Sequence, residues 1–322
     1  MAAECLAADE AAIEKAASLL RGEHLVAFPT ETVYGLGADA TNDRAVASIF
    51  QAKGRPTFNP LIVHVADFLA ASALVCFTPE AELLARAFWP GGVTLVLPRL
   101  ANSPLSLLVS AGLDTVAIRV PAHPLAQKLL RATGRPIAAP SANASGEISP
   151  TRASHVMDSL GAAKELALVL DGGACQLGLE STVIGFPANG RPTLLRPGAV
   201  AREKIERVLG ARLEAADVAS GESGRSSPGQ LASHYAPRAR LRLNVTSPAA
   251  DELWLGFGPE QARATLNLSM TSDLGEAAGN LFAMLRKLDT QAEGRGIAVA
   301  PVPGKELGEA INDRLRRAAA AK

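Results

Sequence analysis

The sequence predicts an α/β protein with two units, a larger N-terminal one and a smaller C-terminal one. The chain has 322 residues, enough for a sizeable core and for two domains. Predicted strands and helices alternate, but not as a regular βα repeat, which favours an open, twisted, mixed sheet with helices packed on it. The stretch 219–229 is rich in Ser and Gly, which is typical of a linker. We therefore place the units at 1–212 and 240–322, joined by a linker or lid at 213–239.

Capping residues and prolines mark the predicted helices. Thr78, Pro79 and Glu80 supply a hydroxyl cap, a proline at the first helical position and an early acid, and Gly22 is a candidate C-cap. The predicted helices are Ala8–Arg21, one that begins near Asp43, Pro79–Phe88, Pro124–Ala132, Ala153–Leu160, Arg202–Leu209, Leu274–Thr290 and Lys305–Ala320.

Short apolar runs bounded by Gly, Pro and polar residues predict the strands. In the N-terminal unit they are Leu25–Phe28, Leu61–Val65, Thr94–Leu97, Thr115–Val120, Pro136–Ala139, Leu166–Leu170, Ser181–Phe186 and Thr193–Leu195. In the C-terminal unit they are Leu241–Val245, Glu252–Phe257, Ala264–Leu268 and Gly296–Ala300. The residues between Pro29 and Asn42 contain hydroxyls and glycines and are predicted to form a loop. The strand and helix order of the C-terminal unit suggests a small Rossmann-like domain, and because it lacks G-x-G-x-x-G we assign it no dinucleotide.

Composition excludes several classes of protein. The formal net charge is zero, so no global field attracts nucleic acid or an anionic membrane, and any RNA contact must be a local patch. The three cysteines are far apart, which argues against a disulfide framework and a cysteine metal site. The acidic first residues do not fit a signal peptide, and no apolar run has membrane-spanning length, so we expect a cytoplasmic protein with no membrane partner.

Four cations are the first candidate site residues: Lys53, Arg55, Arg119 and Arg196. Lys53 and Arg55 flank Gly54 and precede a proline, so they favour an extended loop in which both reach one anion; the alternative is a solvated basic turn. Arg119 lies in an apolar strand and needs an anionic partner, from the protein or from a ligand, unless the strand is at a sheet edge. Arg196 follows a strand, where its guanidinium could bind phosphate at two points.

Small polar residues form a second group. The segment 141–146 is a compact loop of donors with a glycine, which suits an anion nest or a ligand carboxylate; the alternative is an Asx or Ser turn. The other hydroxyls of interest are Thr30, Thr32, Ser149, Thr151, Ser181 and Thr182.

Both tyrosines of the chain lie in unusual strings. Tyr34 lies in TETVYGLG, and Tyr235 follows His234 in HYAP, within the predicted linker. The HYAP string could fold over a ligand as a lid; alternatively, Tyr235 anchors the linker to the first domain. Cations and hydroxyls in loops at strand ends, without a Walker loop or a metal triad, suggest an unusual ATP site for phosphoryl or nucleotidyl transfer.

Five strings resemble the YrdC/Sua family and occur in the order typical of it. They are Phe28–Gly37, Lys53–Pro56 with Asn59–Leu61, Pro140–Asn143, Leu179–Val183 and Leu195–Gly198, with the K-x-R and S-x-N that mark the family. The likeness covers about residues 10–210. The SPG…HYAP string and the following domain resemble the longer, two-domain branch, with a YrdC-like domain first. Relatives often have basic residues before HYAP, whereas 230–233 is uncharged here, which argues against a lid-borne cation at the phosphates.

The resemblance implies an L-threonylcarbamoyladenylate synthase, a nucleotidyltransferase that joins L-threonine, bicarbonate or CO2, and ATP. Its product, released with pyrophosphate, would pass to the tRNA threonylcarbamoyl transferase machinery. Carried over by motif, the threonine pocket is Thr32, His64, Arg119, Ser141 and Ser181. The ATP contacts are Arg55, Asn59, Thr115, Asn143, Thr151, Arg196 and the His234–Tyr235 lid. Lys53 and Arg55 would be the catalytic residues: with Arg196 they would stabilise charge on the transferring phosphate, and Lys53 would face the phosphates or the carbamate. Mg²⁺ is expected with ATP, without assigned protein ligands.

Two other functions are open at this point. An RNA-binding protein is one, although zero net charge and few aromatic residues weaken it, and a weak RNA contact remains possible alongside the synthase. A carbamoyl transferase of the hydrogenase-maturation type is the other. Those proteins carry acylphosphatase and zinc-finger segments, neither of which we find in this sequence.

Overall fold

The computed structural model describes residues 3–187, 191–215 and 234–320 and contains helices close to every predicted position. They are α1 (Glu10–Arg21), α2 (Asp43–Lys53), α3 (Phe68–Ser72), α4 (Pro79–Phe88), α5 (Pro124–Thr133), α6 (Ala153–Leu160), α7 (Arg202–Leu209), α8 (Leu274–Ala292) and α9 (Leu307–Ala319). The predicted Ser- and Gly-rich linker 219–229 and the uncharged segment 230–233 lie outside the described residues.

The strands form one large sheet and one small sheet. The N-terminal strands are β1 (Glu4–Ala7), β2 (Leu25–Pro29), β3 (Tyr34–Asp39), β4 (Ile62–His64), β5 (Val93–Pro98), β6 (Thr115–Arg119), β7 (Ile137–Ala138), β8 (Leu166–Asp171), β9 (Thr182–Gly185), β10 (Thr193–Arg196) and β11 (Glu214–Ala215). The C-terminal strands are β12 (Leu241–Arg242), β13 (Glu252–Gly256), β14 (Leu266–Asn267) and β15 (Gly296–Val299).

The large sheet is mixed, as predicted. Its order is β1-β8-β2-β3-β7-β4-β6-β5-β9-β10-β11, with parallel pairs such as β4–β6 beside antiparallel pairs such as β5–β6. The small sheet has the order β12-β15-β13-β14, and each of its pairs is parallel. Helices α8 and α9 bury apolar residues against it. The predicted fold class, a mixed-sheet α/β domain followed by a small parallel α/β domain, is confirmed.

Local signals explain why most helices begin where predicted. The Thr78 side chain accepts a hydrogen bond from the Ala81 backbone N–H, and Pro79 is the first residue of α4. The Asn42 side chain caps α2 by accepting hydrogen bonds from the backbone N–H groups of Arg44 and Ala45. Gly54 ends that helix in a left-handed conformation with a φ of 58°. Lys53 is therefore the last residue of a helix, not part of an extended loop, whereas Arg55 lies in the loop that follows.

The prediction of a loop between Pro29 and Asn42 is wrong over Tyr34–Asp39, which forms strand β3 between β2 and β7. The ring of Phe28 packs against Gly37 and leaves no room for a side chain there: a Cβ atom added at Gly37 would lie 2.7 Å from Phe28 Cε1. Glycine is depleted in strands and typical of turns, so Gly35 and Gly37 favoured a loop over the period-2 pattern of Tyr34, Leu36 and Ala38. The short elements β1, α3 and β11 were also missed.

Residues from the two units share one apolar cluster. Val33, Ile148 and Leu179 of the N-terminal unit are buried with the residues that α8, α9 and the small sheet contribute, among them Leu281 and Phe282. Within the described ranges, no helix is long and apolar enough to cross a bilayer.

Candidate active site

A cavity opens where the β2–β3 turn, β4, the end of β6, the loop after β7 and the β9–β10 hairpin come together. The 234–235 segment covers it. The lining residues are Thr30, Thr32, Val33, Gly35, Arg55, Ile62, His64, Arg119, Ala139, Pro140, Ser141, Glu180, Ser181, Arg196, His234 and Tyr235. The five residues predicted for a threonine pocket are therefore brought together here, along with two cations predicted for ATP.

Arg119 lies at the end of β6, between β4 and β5, so the edge-strand alternative is wrong. It has a protein partner: Nη2 lies 2.5 Å from Glu31 Oε1, and both side chains are buried. Nη1 donates to Thr32 Oγ1 at 2.8 Å, and Nε donates to the Gly91 carbonyl at 3.0 Å. Burial alone would raise the pKa of Glu31, but Arg119 outweighs it and holds that pKa below the ordinary value. The guanidinium is thus fixed in orientation in the cavity wall.

Arg55 and Arg196 differ from Arg119 because backbone carbonyls, not carboxylates, hold them. Arg55 donates to the carbonyls of Asn59 and Pro60, at 3.2 and 2.9 Å. Arg196 donates through Nε and Nη2 to the Ser181 carbonyl, at 3.2 and 2.9 Å, and through Nη2 to Ser181 Oγ. Among the described residues, neither has a carboxylate oxygen within 4.0 Å. Burial, followed by the nearby charge of Arg196, lowers the pKa of Arg55 to about 10. Two buried cations without a counter-ion form a site for an anion.

Lys53 lies behind the loop that carries the S-x-N residues. Its Nζ donates to the carbonyl of Ser141 at 2.6 Å and also to that of Asn143, and its own carbonyl accepts from the Ser145 N–H. Burial, and then the charge of Arg55, lower its pKa well below the ordinary value. Lys53 is not one of the lining residues, so its position in this structure is that of a support for the 141–145 loop.

Several predicted site residues keep a buried polar atom that has no partner among the described residues. These atoms are Asn59 Nδ2, His64 Nδ1, Asn143 Oδ1 and His234 Nδ1. Folded proteins leave few such atoms, because each costs about 1–3 kcal/mol of desolvation. His64 and His234 line the cavity, so their Nδ1 atoms are available to a polar ligand there, whereas Asn59 and Asn143 are not among the lining residues.

Two of these residues are histidines with strongly lowered basicity. Burial is the largest cause for His64, followed by the charge of Arg119, and its pKa falls to about 3. Burial likewise lowers the pKa of His234 to about 3, with Lys53 and Arg55 adding to the effect against the opposite pull of Glu180. Both imidazoles are therefore neutral at physiological pH, and each can donate one hydrogen bond and accept another.

Tyr235 contacts the C-terminal unit. Its ring stacks on Phe282 with centroids 5.4 Å apart, and the Arg314 guanidinium carbon lies 5.3 Å from its ring centre. The backbone of Tyr235 has a φ of 63°, which is uncommon for a residue with a side chain.

The cavity beneath Tyr235 has a volume of about 50 Å³. Pockets for drug-sized ligands measure roughly 300–1,000 Å³. The cavity in this structure is therefore too small for the predicted ATP unless this cover, or the arginines beneath it, moves.

Four residues predicted for ATP do not line the cavity in this structure. Asn59 is buried beside Arg55, which lines the cavity, and Asn143 is buried beside Lys53, which does not. Thr151 is buried near His155, with its Oγ1 3.5 Å from Nδ1. Thr115 lies at the start of β6, at the far end of that strand from Arg119.

Sequence reasoning missed three residues that shape the site. Glu31 pairs with Arg119, and Glu180 lines the cavity and accepts from Ser149 Oγ at 2.6 Å. Both acids lie inside the motif strings, Glu31 between two threonines and Glu180 between Leu179 and Ser181, and an acid within these strings was the available signal. Arg314 contacts Glu180 from α9, and nothing in its local sequence indicates this long-range contact.

The described residues do not fit a dedicated metal site. No group of three or more His, Cys, Asp or Glu side chains among them could hold a metal ion. The two carboxylates of the site are already engaged, Glu31 by Arg119 and Glu180 by Arg314 and Ser149.

Comparison with known proteins gives consistent matches to both units. A family model described as "Telomere recombination" (Sua5, YciO and YrdC) matches residues 18–198. A second model, "Threonylcarbamoyl-AMP synthase, C-terminal domain", matches residues 200–320.

Curated relatives match over nearly their full length. The threonylcarbamoyl-AMP synthase of Pyrococcus abyssi is 42% identical over 331 residues, which cover 96% of this chain and 94% of that protein. The protein of the same name from Bacillus subtilis is 42% identical over 332 residues, with coverages of 98% and 94%. Among solved structures, P. abyssi Sua5 complexed with L-threonine superposes with a TM-score of 0.86 at 39% identity, covering 99% of this chain and 97% of that one. The resemblance to the YrdC/Sua family is confirmed, and the chain belongs to the threonylcarbamoyl-AMP synthase family in its two-domain form.

Proposed function

We propose that this chain is an L-threonylcarbamoyladenylate synthase that acts by nucleotidyl transfer. It would join L-threonine, CO2 or bicarbonate, and ATP, and release pyrophosphate. The observation that carries the proposal is the pair Arg55 and Arg196, two buried guanidinium groups held by carbonyls and without a carboxylate partner among the described residues. A polyphosphate provides the anionic oxygens that such a pair lacks.

Threonine would bind beside them, on the wall formed by Thr32, His64, Arg119, Ser141 and Ser181. The hydroxyls there can donate to a carboxylate, and Arg119, oriented by Glu31, can share its guanidinium with the ligand. The likeness to a family member whose structure contains L-threonine supports this assignment. The unpaired Nδ1 of His64 offers a further hydrogen bond to the amino acid.

The chemistry proposed for this cavity needs two bond-forming steps. The neutral amine of threonine attacks the carbon of CO2, forms an N–C bond and loses a proton to solvent. An oxygen of the resulting carbamate then attacks the α-phosphorus of ATP, and the bond to the pyrophosphate oxygen breaks. Arg55 and Arg196 would stabilise charge on the transferring phosphate, and the 234–235 cover would exclude water from the labile carbamate.

Mg²⁺ is expected to arrive with ATP, coordinated by phosphate oxygens and water, since the described residues do not form a cage for it. The product would serve the tRNA threonylcarbamoyl transferase machinery, so the enzyme would act in the cytoplasm with its ATP and tRNA.

The test is pyrophosphate release from ATP with and without L-threonine and bicarbonate, with L-serine as the alternative amino acid. We expect release that depends on both threonine and bicarbonate and that Arg119→Ala abolishes. Arg196→Lys keeps the charge but loses the two-point geometry, so it should raise the KM for ATP about tenfold. Arg99→Lys is the matched control, because Arg99 also donates to carbonyls but lies outside the cavity lining. Pyrophosphate release that is indifferent to threonine would contradict the proposed reaction.

A further inference from the structure

Arg314 is a fully buried arginine of α9 that contacts the wall of the cavity from the C-terminal unit, through the lining residue Glu180. Its Nε donates to Glu180 Oε2 at 2.9 Å. Its Nη1 donates to the Pro197 carbonyl at 2.9 Å and to Asp313 Oδ2 at 2.6 Å. A C-terminal side chain thus contacts the segments that present Ser181 and Arg196 to the cavity.

Its partner Glu180 is a carboxylate in the wall of a cavity that otherwise suits anions. Glu180 is buried and lines the cavity, and its other oxygen accepts from Ser149 Oγ. Burial alone would raise the pKa of Glu180, but Arg314, followed by Arg196, lowers it to about 2. The group is therefore ionised at neutral pH, and a bare negative charge here would repel a polyphosphate.

Arg196 is the cation that Glu180 could otherwise capture. The two groups are close enough for each charge to affect the pKa of the other. Even so, Glu180 accepts hydrogen bonds from Arg314 and Ser149, while Arg196 donates to Ser181. A buried carboxylate without its counter-ion is strongly destabilised, and pairing with a nearby cation relieves that cost.

We propose that Arg314 is a positioning residue for ATP binding: it neutralises Glu180 and so leaves Arg196 available to the phosphates. The inference rests on the proposed function, since it assigns the phosphates to Arg196. It also gives the C-terminal domain a definite part in the site, as the source of a counter-ion that the N-terminal domain does not provide for itself.

The test compares Arg314→Met with the double variant Arg314→Met/Glu180→Gln. We expect Arg314→Met to raise the KM and the Kd for ATP about tenfold, with a smaller change in kcat and in the KM for threonine. Removing the Glu180 charge in the double variant should return the ATP constants to within about threefold of wild type, because glutamine can still accept from Ser149 but cannot pair with Arg196. Arg316→Met is the matched control, since Arg316 is an exposed arginine of the same helix.

A purely structural role for Arg314 predicts a different result. It predicts that the double variant is no better than Arg314→Met, and that result, or an unchanged Kd for ATP in Arg314→Met, overturns the proposal. If Arg314→Met does not fold, as judged by its thermal melt, Arg314→Gln and Arg314→Gln/Glu180→Gln replace it with the same expected order, since glutamine also removes the charge but can still donate a hydrogen bond. The Kd for ATP is measured by calorimetry without threonine, so its value does not depend on turnover. A wild-type protein without threonine-dependent pyrophosphate release would therefore overturn the proposed function and leave this comparison interpretable.

Discussion

At the scale of single residues, the site combines groups that burial has made unusual. Arg55 has a lowered pKa, and His64 and His234 are held neutral. Burying these groups costs free energy, and a bound ligand can offset that cost. Without a ligand, the cost lowers the stability of the folded protein. The two histidines make that loss measurable, because their protonation is linked to unfolding.

The first prediction concerns stability against pH. Both histidines have a folded-state pKa of about 3, below the ordinary 6.5, so below pH 6.5 the unfolded chain binds protons that the folded chain does not. The free energy of unfolding should therefore fall as the pH drops from 6.5 towards 3. Glu180, with its pKa lowered to about 2, adds to the loss only below about pH 4.5. Between pH 6.5 and 4.5 the histidines should dominate.

Urea denaturation of wild type and of His64→Gln/His234→Gln at pH 6.5 and 4.5 checks this. Between pH 6.5 and 4.5 the double variant should lose clearly less free energy of unfolding than wild type. It should still lose some, because burial also lowers the pKa values of His155 and His123. His24→Gln, at an exposed position, should keep the wild-type difference. An equal loss in wild type and double variant would show that the two imidazoles are not held neutral in solution.

The residue types of the site were predictable from the sequence, but their pairings were not. A K-x-R, an S-x-N and an arginine in an apolar strand pointed to the cavity that the structure contains. The partner of Arg119 is Glu31, 88 positions away along the chain, and the partner of Glu180 is Arg314, 134 positions away. No local pattern encodes which carboxylate meets which guanidinium after folding.

At the scale of elements, helices with capping signals were predicted almost to the residue, as in Pro79–Phe88 and Arg202–Leu209. Strand β3 was missed because Gly35 and Gly37, close to the hydroxyls of Thr30 and Thr32, are typical turn signals, although Tyr34, Leu36 and Ala38 occupy every second position. In the sheet, those glycines are where neighbouring side chains approach the backbone: the nearest atom to a Cβ on Gly35 would be Ala139 Cβ at 3.2 Å. These positions are glycine because neighbouring side chains leave no room for a Cβ atom, and this reason can be recognised only once the neighbours are known from the structure.

The second prediction follows from that packing. In Gly37→Ala the new methyl group would lie 2.7 Å from Phe28 Cε1 and 3.0 Å from Ile137 Cγ2, both in the buried core. Overpacking of this kind costs about 1–3 kcal/mol, so the urea midpoint should decrease accordingly. Gly304→Ala is the control, because a Cβ there meets nothing within 4 Å, and its midpoint should stay near that of wild type. A Gly37→Ala variant as stable as Gly304→Ala would show that β2 and β3 are not packed this closely.

At the scale of the whole molecule, composition predicted a linker at 219–229, outside the described residues, and gave no information on how the units meet. Val33, Ile148 and Leu179 belong to the first unit by sequence, yet they are buried with α8 and α9 of the second. Polar contacts also join the two units: Arg286 of α8 donates to the Ile148 carbonyl, and Arg202 of α7 pairs with Glu309 of α9 at 2.7 Å. Such an interface depends on surface shape, which a single sequence does not reveal.

The third prediction is that the two units unfold together. The chain has two tryptophans, Trp89 in the first unit and Trp254 on strand β13 of the second, so Trp254→Phe and Trp89→Phe leave one reporter in each. Because the units share a buried cluster and the Arg314–Glu180 pair, separating them would expose apolar surface and an uncompensated charge. In each variant, tryptophan fluorescence and far-UV circular dichroism should therefore give coincident urea transitions. If the Trp254 signal instead changes at lower urea than the circular dichroism, the C-terminal domain unfolds alone. Arg314 would then be withdrawn from the catalytic cavity before the rest of the site is lost.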